Sequence, residues 1–235
     1  MLFRSLYNSR VDGILIAISR ETSDFSHITP ILERGIPVVF YDRNLPVGPA
    51  SGILVEDYSG AREAVNHLIN QGCRTIAHIQ AAPNLDIARE RLNGYKDALQ
   101  AAGMPLKESY IIDCQEGTFE CGRMAMEQLM SLNPLPDGLF ANNDALAIGA
   151  MRAIKARGMT VPGDIAVIGF SNWAYGQITD PPLSTVDQPG FEMGRQATRM
   201  LIRRIEHPEE SAPLPHETIR LKTSLVIRES SLHKG

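Results

Sequence analysis

The 235-residue sequence is short of several things, and each shortage removes a class of function. No apolar run approaches the ~18 residues of a membrane-spanning helix, so the chain is expected to have no membrane partner. Positive charge is not in excess: 23 Lys and Arg stand against 27 Asp and Glu, a net charge of -4, which lacks the basic footprint of a stand-alone nucleic-acid binder. The three cysteines, Cys73, Cys114 and Cys121, are an odd number without a C-x-x-C pair, and read as reduced thiols in a cytoplasmic protein. The start, MLFRSLYNSRVDG, shows neither the apolar core nor the cleavage site of a secretory signal. G-x-S-x-G, P-loop, G-x-G-x-x-G and H-E-x-x-H motifs are all missing, and the six histidines are scattered. An enzyme, a bound metal and a cofactor are therefore not expected.

What the chain does have is a regular alternation of short apolar runs and amphipathic segments, the pattern of an α/β protein with parallel sheets. Strands are predicted over 14–18, 37–41, 52–55, 75–79, 110–113, 138–141 and 165–170, and alternating strand residues over 219–227. Helices are predicted over 27–35, 58–70 (capped by Asp57), 87–102, 118–132, 145–157 and 190–206. Met124, Leu129 and Met130 read as core filler, 208–215 as a Pro-containing loop, and the tail past Glu229 as frayed.

Open parallel sheets bind ligands beyond the carboxyl ends of their strands. Two such ends fall in the stretch 136–188. Asn142-Asn143-Asp144 follows one apolar run and Phe170-Ser171-Asn172-Trp173 the other. Asn143 and Asp144 suit a helix cap as well as a ligand contact, and the chain's single tryptophan, Trp173, could stack on a ring. Asp42, after the run PVVFY, is either a ligand acceptor or half of a loop ion pair with Arg43. Arg89 and Arg91 lie near a helix start, where a guanidinium adds paired donors, or forms an ordinary surface ion pair.

The blocks VDGILI, IPVVFYDR, GAREAVNHLINQGCRTIAHI, ARERLNGYKDAL, FANNDALAIGAMRAIKARGMTVPGDIAVIGF and PPLSTVDQPGFEMG together resemble the lactose-repressor/galactose-repressor family of bacterial transcription regulators. The resemblance runs over nearly the whole chain. It implies a type I periplasmic-binding-protein-like fold: two Rossmann-like lobes hinged around a small effector, with a sugar or sugar derivative as the expected ligand, in a homodimer. It also implies an N-terminal lobe of 1–55 plus 190–214, and a C-terminal lobe of 57–187 plus 217–228. Against the family's pattern the N-terminal lobe is incomplete and the helix-turn-helix headpiece is absent, so operator DNA would be a partner only through that missing headpiece.

The family's effector arginine falls on Arg91, its acceptor after the IPVV strand on Asp42, and its polar cap on Asn143. The aspartate usual after V-G-F or V-G-Y is replaced by Ser171, followed by Asn172 and Trp173. Gln188, at a crossover, completes the ligand-binding candidates with Phe170. The resemblance also suggests 145–157 as part of a dimer face. An extracytoplasmic sugar-binding protein of a transport system is the alternative with the same architecture. Loss of Arg91 is expected to weaken effector binding without unfolding the domain.

Overall fold

A computed structural model describes residues 9–19, 22, 24–43, 51–83, 85–207 and 217–232. The first eight residues, most of the loop expected over 44–51 and all of the Pro-containing loop over 208–215 lie outside the described residues. The chain divides into two units, Met1–Val55 with Pro189–Leu221, and Glu56–Gln188 with Lys222–Gly235.

The first unit holds a four-stranded, all-parallel sheet in the order β1-β2-β3-β9. Its strands are β1 (Ile14–Ile16), β2 (Val38–Tyr41), β3 (Ser51–Val55) and β9 (Thr218–Leu221). On one face Ile14, Ile16, Val38 and Phe40 meet Ile28 and Ile31 around the short helix α1 (Thr29–Glu33). On the other, Val39, Ile53 and Val55 pack against Met193, Ala197 and Met200 of α6 (Gly190–Glu206). The expected assignment of 217–228 to one lobe needs correction. The run splits after Leu221: β9 pairs with β3, Ile53 opposite Ile219, while β10 (Ser224–Val226) pairs antiparallel with β8 (Ser184–Asp187) of the second unit. Period-two alternation looks the same in either sheet, so it could not place the break.

The second unit is doubly wound, with strand order β10-β8-β7-β6-β4-β5 and every pair but the first parallel. Here β4 is Ile76–Ala81, β5 Ile111–Cys114, β6 Gly138–Ala141 and β7 Ala166–Phe170. Successive residues serve opposite faces. Leu139, Ala141 and Val167 pack under α4 (Phe119–Leu129) and α5 (Asp144–Ala156), while Phe140, Ile168 and Phe170 pack under α2 (Asp57–Asn70) and α3 (Asp86–Ala101). Leu129 and Met130 are in the core as expected, but Met124 points outward at 50% exposure. Most of α5 is buried, with Arg152, Lys155 and Ala156 its exposed residues. The end of the chain is not frayed at Ser230 and Ser231: Ser230 Oγ donates to Val167 O (2.7 Å), and Ser231 Oγ lies 2.8 Å from His67 Nε2. Among the described residues, no helix is long and apolar enough to cross a membrane.

Helices α4 and α5 touch backbone to backbone because each has a glycine at the crossing. A Cβ on Gly149 would stand 1.9 Å from Phe119 O, and one on Gly122 2.2 Å from Leu146 O. Gly149→Ala gains about 1 kcal/mol of helix propensity, but must pry the pair apart, an overpacking cost of about 1–3 kcal/mol or more. The net expectation is a lower melting temperature. Gly194→Ala, in α6 with nothing within 4 Å, keeps only the propensity gain and should raise it; differential scanning calorimetry on both variants decides.

His78, on β4, is fully buried between the rings of Tyr95 and Phe140, at centroid distances of 5.1 and 5.0 Å, with Nδ1 2.9 Å from Phe140 O. Burial pushes its pKa down to about 4. The unfolded chain therefore takes up this proton first. The stabilisation is complete above pH ~6.5 and is lost as pH falls toward 4, by about 3 kcal/mol in all. Urea unfolding at pH 7.5 and pH 5 should show most of that loss, and a His78→Met variant should show a correspondingly smaller one.

Candidate functional site

In the second unit the candidate residues follow β6, β7 and β8, or in the case of Arg91 lie on α3, and the backbone after β4 and β7 is strained. Ala82 (φ 42°), Ser171 (φ 115°) and Asn172 (φ 51°) lie in the left-handed region that favours glycine. Non-glycine residues held there cost about 1–3 kcal/mol each and concentrate at functional sites. Asp42 (φ 67°), after β2 of the first unit, has the same conformation.

Arg91 organises the inner layer. Its side chain is 5% exposed. Nε and Nη2 both reach Asp57 Oδ1, at 2.8 and 2.6 Å, Nη1 donates to Asn142 O at 2.6 Å, and the guanidinium lies 3.6 Å above the centre of the Phe170 ring. Three expectations change. Asp57 is not a cap but the first residue of α2, buried, with its carboxylate turned to Arg91. Phe170 is 0% exposed and has no free face for a ligand; it seats the guanidinium. Arg91 is so enclosed that its removal strips the partner from a buried carboxylate, so loss of binding without loss of stability no longer follows.

Asp144, the first residue of α5, does the corresponding work beside β7. Its Oδ1 accepts from Thr185 Oγ1 (2.7 Å) and its Oδ2 from Trp173 N (2.6 Å). Gly169 admits it, since a Cβ there would lie 2.2 Å from Oδ1. Burial pushes this carboxyl up, against the pull of those hydrogen bonds. Asn172 is held as firmly, with Nδ2 donating to Asp187 Oδ1 and Oδ1 accepting from Arg228 Nη2, both at 2.7 Å. Asn143 acts as a cap: Oδ1 accepts from Leu146 N (2.8 Å) and Nδ2 donates to Gly117 O (3.1 Å).

With the turn pinned, Trp173 stands outward at 44% exposure. Its ring stacks on Phe119 (centroids 5.8 Å, interplanar angle 13°) and takes Tyr175 edge-on (4.9 Å, 83°). Phe119 and Tyr175 were missed in the sequence reading. Phe119 directly follows Thr118, the N-cap of α4, in the connection after β5, and attention to every strand end rather than two would have found it. Gln188 follows β8, half-buried. Asp42 and Arg43 keep a loose ion pair, Nε to Oδ2 3.7 Å, in the first unit. The thiol expectation also fails in part: Cys114 and Cys121 are joined in a disulfide, while Cys73 stays a buried thiol pushed up to about 12 by burial. Among the described residues no cluster of His, Cys, Asp and Glu could hold a metal.

Polar side chains and an exposed aromatic surface thus lie at the strand ends of a doubly wound sheet. The profile of the periplasmic binding protein-like domain matches residues 65–231. The chain belongs to that family. Its relatives within the family are lactose-repressor-type regulators. The probable HTH-type transcriptional repressor ExuR of Bacillus subtilis (strain 168) is 36% identical over 97% of this chain and 67% of its own length. The HTH-type transcriptional regulator CelR of Thermobifida fusca is 33% identical over 96% of the chain and 65% of its own length. Among solved structures, a transcriptional regulator CelR–cellobiose complex superposes with a TM-score of 0.86 at 32% identity, covering 97% of this chain and 68% of that one. The periplasmic binding protein-like chain thus spans about two thirds of the length of the curated relatives it matches.

Removing one partner of a buried, hydrogen-bonded ion pair costs about 3–5 kcal/mol. Arg91→Ala and Asp57→Ala should each lose that much in urea unfolding. The charge-free pair Arg91→Met with Asp57→Leu should recover most of it, and equal losses in the double variant would contradict the pairing.

Proposed function

We propose that this chain is the effector-sensing part of a bacterial transcription regulator, and that its ligand is a sugar or sugar derivative bound over the strand ends of the second unit. The observation that carries this reading is the outward-facing Trp173 ring, backed by Phe119 and set on the strained Ser171–Asn172 turn. A pyranose offers such a ring its C–H face, and its hydroxyls need neighbouring polar groups. Ser171, Asn143 and Gln188 are the proposed hydroxyl partners. Arg91 and Phe170 act from beneath, by holding Asn142 and the β7 end in place.

Cellobiose, bound by the regulator of similar fold, is the first ligand to try. Binding is proposed to change the operator affinity of an attached helix-turn-helix headpiece, which requires only that the ligand favour one conformational state over another. A homodimer is part of this reading. The named relatives are regulators, which favours it over a transport protein, and their chemistry is recognition rather than turnover.

Isothermal titration against cellobiose and a panel of mono- and disaccharides tests the site. At least one sugar should bind saturably, and Trp173→Ala should weaken it more than tenfold, or about 1.4 kcal/mol. The melting temperature should move little, because so exposed a ring contributes little to the core. Undiminished affinity in Trp173→Ala would remove the aromatic surface from the site.

A further inference from the structure

Cys114 and Cys121 sit at the two ends of the connection between β5 and α4. Cys114 is the last residue of β5 and 2% exposed; Cys121 is half-buried in the first turn of α4. Their Cα atoms are 5.8 Å apart, within the span a disulfide needs. The connection they close is joined to the neighbouring strand ends at several points. Ala82 N donates to Cys114 O at 3.1 Å, Asn143 Nδ2 donates to Gly117 O, and Phe119 stacks on Trp173. The same eight residues therefore carry one face of the exposed aromatic pair and the amide partner of the α5 cap.

We propose that Cys114 and Cys121 are a reversible oxidation site, and that their thiol or disulfide state sets the position of the Phe119 ring beside Trp173. Cys121 is the attacking sulfur, since it is the more accessible of the two. With a hydroperoxide as oxidant, the Cys121 thiolate displaces alkoxide or hydroxide from the peroxide oxygen and becomes a sulfenic acid. The Cys114 thiol then attacks that sulfur, and water leaves as the S–S bond forms. Two thiols have lost two electrons to the peroxide, which ends as water and an alcohol, or as two waters. A dithiol reductant reverses the change by exchange at Cys121, returning both thiols and taking the disulfide itself. Cys73 takes no part: it is fully buried and its Sγ donates to Asp137 O. Any effect of this change on ligand affinity rests on the site reading above; the oxidation itself does not.

The chain's single tryptophan makes the proposal readable without a ligand. The full chain is reduced with dithiothreitol, freed of it, and treated with stoichiometric hydrogen peroxide. Free thiols are counted by maleimide mass-tagging after denaturation, and Trp173 emission is followed in the folded protein. Thiols should fall from three to one, emission should fall with them, and dithiothreitol should restore both. Cys121→Ser, under the same treatment, should form no intramolecular disulfide and show no reversible change in emission; Cys114→Ala serves where that variant does not fold. Three thiols persisting after peroxide would overturn the oxidation site. A disulfide that forms and breaks with no change in Trp173 emission would overturn its link to the aromatic pair. Neither result depends on whether a sugar binds.

Discussion

The second unit depends on one guanidinium. Arg91 reaches from α3 to the first residue of α2 through Asp57, to the end of β6 through the Asn142 carbonyl, and to the end of β7 through the Phe170 ring. These three elements belong to different parts of the chain, and apolar packing alone would leave their ends free to shift relative to one another. A buried charge is costly unless it is paired and hydrogen-bonded, so the arrangement that satisfies Arg91 is also the one that fixes the strand ends. Lysine could not replace it: the planar fork serves a carboxylate and a carbonyl while lying flat on an aromatic ring.

Asp144 extends the same principle outward. Its carboxylate spans from the start of α5 to the backbone of Trp173 and the hydroxyl of Thr185 on β8. That grip accounts for how two consecutive non-glycine residues persist at positive φ just before Trp173, and for why the one tryptophan of the chain is turned outward instead of into the core. Strain at Ser171 and Asn172 is thus offset by hydrogen bonds made by their neighbours. The inner layer is rigid and enclosed, and the outer layer is aromatic and open, which is the division of labour a recognition site needs.

Much of this was legible in the sequence because it is local. The Asn143 cap, the glycine-ended helices and most of the order of strands and helices follow from spacing over a few residues; the structure has most of them within a residue or two, although α4 stops three residues before the predicted 132 and β8 was given no predicted range. What the sequence could not display are relations across distance. Asp57 and Arg91 are 34 positions apart, and each alone suits a role at a helix start, so their pairing emerges only once α2 and α3 lie side by side. The break after Leu221 was hidden because β9 and β10 share one alternating pattern while belonging to different sheets. Cys114 and Cys121 looked unrelated because only the turn from β5 into α4 folds a separation of seven into neighbouring positions. Phe119 was missed for a simpler reason: only two strand ends were searched, and it follows a third, after β5.

The central claim is that ligand binds over the ends of β5, β6 and β7 in the second unit. Hydrogen–deuterium exchange with and without saturating cellobiose, or whichever sugar proves to bind, maps this directly. The account predicts slowed exchange at 115–119, 142–144 and 171–173. Slowed exchange confined to the opposite ends of the same strands, around Arg74 and 104–110, would contradict it.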